Sequence, residues 1–268
     1  MKISFIGGGL MAEALITGIL RNGIALPTDV CVGEPIEERR DYLARQHSVQ
    51  VTDSNTKAAS GSTLLVLAIK PQNLPQVFHD LRGTLTQGQV ALSIVAGARI
   101  ATIINGLDHN AVIRIMPNTP AQIGHGISVW LPSSDVEPRF RETTRSILQT
   151  LGKEIEVHDE KQLDMATALS ASGPAYVFLF IESLIDAGVH MGMSRDMART
   201  LVLQTILGST KLTEETGKHP AELRDMVTSP GGTTAEALRQ LEEQGFRAAV
   251  LSAVAAAYEK SVRLGSEQ

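Results

Sequence analysis

FIGGGLMAEAL, residues 5–15, joins a short β-favouring run, Ile3 to Ile6, to a helical pattern over Met11 to Arg21. Gly7, Gly9 and Ala12 fit the spacing G-x-G-x-x-A. In that arrangement Gly7 permits the tight turn, Gly9 lets a pyrophosphate approach the backbone, and Ala12 lets the helix pack close on the strand. The helix N-terminus then faces the anion. A glycine-rich turn alone is a weak signal, and a structural turn in a sheet protein without a cofactor is the other reading. Its place between a strand and a helix, at the head of an alternating chain, is what points to a dinucleotide.

Working outward, β-favouring runs recur at Val30 to Val32, Leu64 to Ile69, Val90 to Val95, Ala111 to Ile115 and Ser128 to Leu131, with helical or loop segments between them, among them a charged helix over Glu37 to Gln46. This alternation predicts an α/β fold: an N-terminal Rossmann-type, doubly wound parallel sheet. LLVLAI, residues 64–69, is apolar on both faces, as a strand covered on both sides should be. From about Glu160 the pattern changes and no strand is predicted. Helices are expected over Met165 to His190 (broken at Ser172-Gly173-Pro174), Met197 to Thr216, Pro220 to Met226, Thr234 to Glu243 and Arg247 to Arg263. The chain therefore divides into a dinucleotide-binding domain, residues 1–160, and an all-α C-terminal domain, residues 161–268. Ala175 to Ile181 reads AYVFLFI, apolar nearly all round, and so small a helical unit has little interior to hide it. An interface between domains would cover it; a homodimer built through the helical domain would do so too.

Composition narrows the function. With 43% apolar and 20% charged residues the chain is not disordered. Its net charge of −5 leaves no electrostatic footprint for nucleic acid. The single cysteine, Cys31, excludes a disulfide framework and a cysteine-rich zinc site, and none of the seven histidines has metal-ligand spacing, so no metal is expected. Lys2 is followed by an apolar run that stops at Gly7, too short for a secretory signal. Met165 to Ile181 is a poor membrane span. A soluble cytoplasmic protein with no membrane partner is the expectation.

Three further places could carry chemistry. Val32-Gly33-Glu34 ends the second strand with a carboxylate that would accept from a ribose 2′-hydroxyl and repel a 2′-phosphate. Arg39 and Arg40, a few residues on, could reach such a phosphate or could simply face solvent. Lys70 lies at the carboxyl end of the LLVLAI strand, where ligands sit in open α/β sheets, although a solvated strand end is the plainer reading. In Ser229-Pro230-Gly231-Gly232-Thr233-Thr234-Ala235-Glu236, Thr233 with Glu236 forms a predicted capping box behind two glycines. That leaves a helix N-terminus able to receive an anion, unless it is an ordinary loop–helix junction. His219 before Pro220 is expected to open a helix.

With these residues in view, the chain resembles the pyrroline-5-carboxylate reductases nearly end to end. PAELRDMVTSPGGTTAEALRQLE, Pro220 to Glu242, is similar to that family's C-terminal signature. FIGGGLMAEAL, LAIKPQ, SIVAG, RIMPNTPA and SASGPAY resemble its other segments in order and spacing. The resemblance implies reduction of the cyclic imine 1-pyrroline-5-carboxylate to L-proline, the last step of proline biosynthesis, with NADPH and often NADH. By position it places the coenzyme along Gly7, Gly8, Gly9, Leu10 and Met11, with Asn55 near the adenosine ribose or its phosphate. Ala68, Lys70 and Pro71 would flank its centre, Ala96 would approach the nicotinamide, and Asn118, Thr119 and Pro120 would lie near the ring. It assigns the substrate to Ser229, Gly231, Gly232, Thr233 and Thr234, with Thr234 as the catalytic hydroxyl next to the imine nitrogen. It also implies a homodimer, in some relatives built into a larger ring. Glu34 runs against the family's preference for NADPH.

Two other classes are weighed beside it. A β-hydroxyacid dehydrogenase needs a base, usually a lysine on a long helix of the second domain, and Met165 to His190 has none. A non-enzymatic dinucleotide sensor would not need the second anion site at Pro230 to Thr234.

Overall fold

β1 (Ile3–Ile6) runs straight into the glycine loop, and α1 (Leu10–Arg21) follows it. The computed structural model describes residues 1–266. The chain continues through β2 (Val30–Gly33), α2 (Glu37–His47), β3 (Gln50–Thr52), α3 (Asn55–Ala59), β4 (Leu64–Leu67), α4 (Leu74–Leu81), β5 (Val90–Ser93) and α5 (Ile100–Leu107). It then forms β6 (Val112–Met116), β7 (Gly126–Pro132), α6 (Pro138–Gln149) and β8 (Gly152–Glu156). The eight strands make one sheet in the order β3-β2-β1-β4-β5-β6-β7-β8, parallel except where β7 turns back against β6. β1 is the centre of the double winding: Ile3 pairs with Val30 on one side and with Leu64 on the other.

Side chains of successive residues point to opposite faces of a strand, and the sequence fills both faces with apolar residues. Ile3, Phe5, Leu64 and Val66 pack with Leu15, Ile16 and Ile19 of α1, Leu43 of α2 and Phe140 of α6. Ile6, Leu65 and Leu67 pack on the other side with Val77 and Leu81 of α4 and Ile103 of α5. Ser4, buried on that second face, satisfies its hydroxyl by donating to the Ala58 carbonyl at 2.5 Å. The expected α/β architecture is present. β3 and β8 were not among the strands predicted. Both are sheet edges: β3 has only three residues, and β8 (GKEIE) alternates charge with a half-exposed Ile155.

Beyond the sheet the described residues hold helices and no strand: α7 (Glu160–Ala166), α8 (Gly173–His190), α9 (Arg195–Thr216), α10 (Pro220–Met226), α11 (Thr233–Glu243) and α12 (Phe246–Ser266). The predicted break at Ser172-Gly173-Pro174 falls at the junction of two helical elements, with Ser172 a bend outside both. Thr167–Ala171 form a π-helical turn in which the Ser172 N–H donates to the Thr167 carbonyl, and Pro174 falls in the first turn of α8. There its missing N–H is no loss. His219 opens α10, its Nδ1 accepting from the Ala221 N–H.

The chain forms two compact units. One comprises residues 1–174 together with the chain from Ala257 onward; the other is Ala175–Ala256. In the first, a charged cluster lies in an otherwise apolar interior. Arg114 of β6, its side chain 1% exposed, donates from Nη1 to Glu160 Oε1 at 3.0 Å and from Nη2 to Asp164 Oδ1 at 3.2 Å. Asp164 also accepts from the Ser261 hydroxyl near the end of α12, and Glu160 accepts from the Ile100 N–H that begins α5. In the second unit α8 and α9 meet closely, since a Cβ on Gly188 would lie 2.8 Å from that of Ala198. The apolar surface of AYVFLFI is uncovered within the chain: Phe178 is 61% and Leu179 64% exposed.

Candidate active site

The loop after β1 and the loop after β4 touch through their backbones. Gly7 has φ +94°, a conformation that favours glycine. A Cβ there would lie 2.5 Å from the Ala68 carbonyl oxygen and 2.9 Å from Ile69 Cγ2. Gly7 donates its N–H to the Gly33 carbonyl, so the turn is fastened to β2 as well. Gly9 differs: nothing lies within 4 Å of where its Cβ would be. It is the N-cap of α1 and makes no side-chain cap, so the first-turn N–H groups of α1 are left for an outside acceptor. Leu10 is exposed beside them. Switch-point loops in contact, an open glycine and an uncapped helix start fit the pyrophosphate of a dinucleotide.

The end of β2 is tied to this loop by side chains. Glu34 is 8% exposed. Its Oε2 accepts from the Gly8 N–H at 2.8 Å and its Oε1 from the Ile36 N–H at 3.0 Å. Arg39 donates from Nε to the Gly8 carbonyl and from Nη2 to Glu13 Oε2 at 2.6 Å. Arg40 donates from Nη1 to the carbonyls of Glu34 and Pro35. Glu13 also accepts from the Tyr42 hydroxyl and lies 3.3 Å from His47 Nε2. Burial works to raise the Glu13 pKa, but its contacts with Arg39, Tyr42 and His47 together hold it below the ordinary carboxylate value. The sequence reading passed over Glu13, Tyr42 and His47, and only the fold brings them to Arg39.

The remaining N-terminal residues singled out from the sequence follow the carboxyl edge of the sheet. Asn55 begins α3, its Nδ2 donating to Asp80 and its Oδ1 standing where a Cβ on Gly33 would come within 3.3 Å. Ala68 donates its N–H to the Ile6 carbonyl, and Lys70 and Pro71 follow it. Lys70 is exposed. Ala96 is exposed in the loop after β5. Asn118, after β6, has its carboxamide engaged at both ends: Oδ1 accepts from the Ile127 N–H and Nδ2 reaches Ser170 Oγ at 3.4 Å. Ser170 belongs to the π-helical turn, a feature often found at functional sites, and no pattern in the sequence announced it.

Ser229 to Thr234 lie together in the second unit. Gly232 donates its N–H to the Ser229 carbonyl, and Gly231 has φ +67°. A side chain on Gly232 would run into the Ser229 hydroxyl. The capping box expected of Thr233 and Glu236 is not made. Gly232 is the N-cap of α11 and Thr233 is the first helical residue, because the turn at Gly231 starts the helix one residue early. Glu236 accepts from Arg239 on the next turn instead of reaching back. The N–H groups of the first turn of α11 are consequently not met by a side-chain cap, and Thr234 is half-buried beside them.

Comparison with known proteins bears on both sets of residues. Residues 160–264 match a family model described as pyrroline-5-carboxylate reductase dimerisation, and residues 2–97 match one described as NADP oxidoreductase coenzyme F420-dependent. Over 267 residues the chain is 43% identical to a pyrroline-5-carboxylate reductase of Synechocystis, covering 100% of this chain and 99% of the relative. The chain belongs to the pyrroline-5-carboxylate reductase family. The Escherichia coli member is 38% identical over 98% of each chain. Among solved structures, the pyrroline carboxylate reductase of Plasmodium falciparum with NADP bound has a TM-score of 0.90 at 34% identity, covering 99% of this chain and 98% of that one. The dimerisation match spans α7 to α12 and supports a homodimer. It also bears on a helical run, Glu160–His190, that is long and apolar enough by length and composition to cross a bilayer, with 6% of its most apolar window buried within the chain. The uncharged part of that run, Met165 to Ile181, reads as a poor span because it is short and holds Ser, Thr and a Gly-Pro pair. The same stretch lies within the region that matches the dimerisation model.

Proposed function

We propose that this chain is a pyrroline-5-carboxylate reductase, reducing 1-pyrroline-5-carboxylate to L-proline with NADPH or NADH. The observation that carries the reading is similarity at 43% identity to a reductase of that name over the whole length of both chains. The two open helix starts support it: α1 for the coenzyme pyrophosphate and α11 for the carboxylate of the substrate. On this reading residues 1–160 bind the dinucleotide and 161–268 bind substrate and pair the subunits. The enzyme is soluble and cytoplasmic, its apolar helix faces covered by a second copy rather than by lipid, and any ring beyond the dimer is read by light scattering.

The substrate is a cyclic imine carrying a carboxylate. The reduced nicotinamide supplies a hydride to the C=N carbon, and the ring nitrogen gains a proton. What the chain must add is placement, which can account for most of the effect on such a reaction. Gly7 to Met11 hold the pyrophosphate end of the coenzyme, with Asn55 towards the adenosine ribose. Ala68, Lys70, Pro71, Ala96 and Asn118 line the edge towards the nicotinamide. The Ser229 hydroxyl, the backbone of Gly231 and Gly232, and the first-turn N–H groups at Thr233 and Thr234 hold the carboxylate. Thr234 Oγ1 hydrogen-bonds the ring nitrogen, donating to the neutral imine and accepting from its N–H once it is protonated, and so orients it. No strong acid or base is required once the imine is protonated. The test is oxidation of NADPH and NADH by the purified protein with and without 1-pyrroline-5-carboxylate. Substrate-dependent oxidation yielding proline is expected, and its absence with both coenzymes would sink the reading.

A further inference from the structure

We infer that Glu34 sets the coenzyme choice of this enzyme, favouring NADH over NADPH, while also clamping the glycine loop. The inference rests on the reductase reading and deepens it. Glu34 follows the last residue of β2, at the switch point, where an acidic side chain faces the ribose hydroxyls of a dinucleotide. Here the placement is fixed rather than mobile. The Glu34 N–H donates to the Thr52 carbonyl at 3.0 Å, and the two carboxylate oxygens accept from Gly8 N–H and Ile36 N–H. The negative charge thus lies against the second glycine of the loop and cannot swing away without releasing two backbone N–H groups. A carboxylate has about four acceptor sites and these bonds use two, so capacity remains for a ribose hydroxyl.

A 2′-phosphate at the same place would meet a like charge. It would need cations to offset it, and the two arginines nearest in the chain are already committed. Arg39 is bonded to the Gly8 carbonyl and ion-paired with Glu13. Arg40 is bonded to two carbonyls of the Glu34–Pro35 turn. Recruiting either to a phosphate would break bonds that hold the loop. The same carboxylate therefore does two things that are separable by chemistry: the clamp needs an oxygen acceptor, while the choice of coenzyme needs the charge.

Glu34→Gln separates them, because the amide oxygen can keep the Gly8 bond while the charge is lost. The measurement is the dissociation constant of the full-length protein for NADH and NADPH by fluorescence titration, repeated with 5′-AMP and adenosine 2′,5′-bisphosphate by calorimetry. Wild type is expected to bind NADH at least about tenfold tighter than NADPH, a difference of about 1.4 kcal/mol. Glu34→Gln and Glu34→Ser should each shift the ratio towards NADPH by about tenfold or more. The AMP pair should follow the same order, since it carries the 2′-phosphate without the nicotinamide. Melting temperatures establish that the variants are folded. Tighter binding of NADPH by wild type, or an equal change for both coenzymes in Glu34→Gln, overturns the inference, the latter leaving Glu34 as a clamp alone. If 1-pyrroline-5-carboxylate is still reduced in those cases, the reductase reading stands without it. If neither coenzyme binds and no reduction occurs, both fall.

Discussion

Replacing Arg114 by leucine should be the most costly single change in the dinucleotide unit. The guanidinium is 1% exposed and bonded to two carboxylates, of which Asp164 is 4% exposed and Glu160 partly open to water. Among the described residues, removing it leaves Asp164 buried beside the Ser261 hydroxyl at 3.2 Å and a more distant Arg99 at 3.9 Å. Breaking a buried pair from one side costs about 3–5 kcal/mol, because the remaining charge is uncompensated. Total stability is of order 5–15 kcal/mol. At about 2–4 °C per kcal/mol for a unit of this size, the melting temperature should fall by about 6–20 °C. The assay is urea and thermal unfolding at fixed protomer concentration, since a dimer's stability depends on concentration. The double variant Arg114→Leu with Asp164→Leu should regain part of the loss, because replacing a whole buried pair by apolar residues is often neutral. A single variant within about 1 kcal/mol of wild type, or a double variant as poor as the sum of the two singles, would refute the reasoning.

Other outcomes follow from the same geometry. Gly7→Ala should abolish measurable coenzyme binding in a fluorescence titration, since its Cβ would press on the Ala68 carbonyl at a positive φ. Thr234→Ala should lower kcat by about 10–100-fold, the loss of one transition-state hydrogen bond, while Thr234→Ser keeps most of the rate. Thr233→Ala, at a position that is not the helix cap, should change the melting temperature little and raise KM; equal kinetics in both alanine variants would contradict these roles. The Glu13 carboxyl is held below its ordinary value, so its contribution is complete above about pH 4.3 and is lost as pH falls through its lower folded value. Glu13→Gln should therefore flatten the acid limb of the stability curve. Phe178→Glu with Leu179→Glu should give a monomer in light scattering; an unchanged dimer would place the interface elsewhere.

How much of this could be read in advance depends on where each signal resides. The glycine loop, the buried strands and the boundaries of α10 are local patterns, and they were legible. β3 and β8 were not, because an edge strand needs neither length nor an apolar face to pair. The element boundary at Gly173-Pro174 was legible, but the π-helical turn before it was not, because no residue pattern marks that hydrogen-bond register. The capping box misled because Glu236 had a competing partner, Arg239, one turn on. Arg114 did carry a signal: a charged residue inside VIRIM must find partners if the strand is buried. Which partners, 46 and 50 residues away, no pattern could say. Glu34 was placed correctly at the end of β2, yet its second role as a clamp depends on the distance to Gly8.

The bond between Ser261 and Asp164 has a consequence for biosynthesis. A domain at the head of a chain is ordinarily free to fold while the remainder is still being made. Here the first unit takes its final turns of helix from the segment that begins at Ala257, which leaves the ribosome only after the whole second unit. The nascent chain must hold Arg114, Glu160 and Asp164 without Ser261 until that residue has emerged. Premature termination near residue 256, remote in sequence from the glycine loop, should therefore leave an N-terminal unit that is more readily cleaved by protease than the same residues in the finished protein.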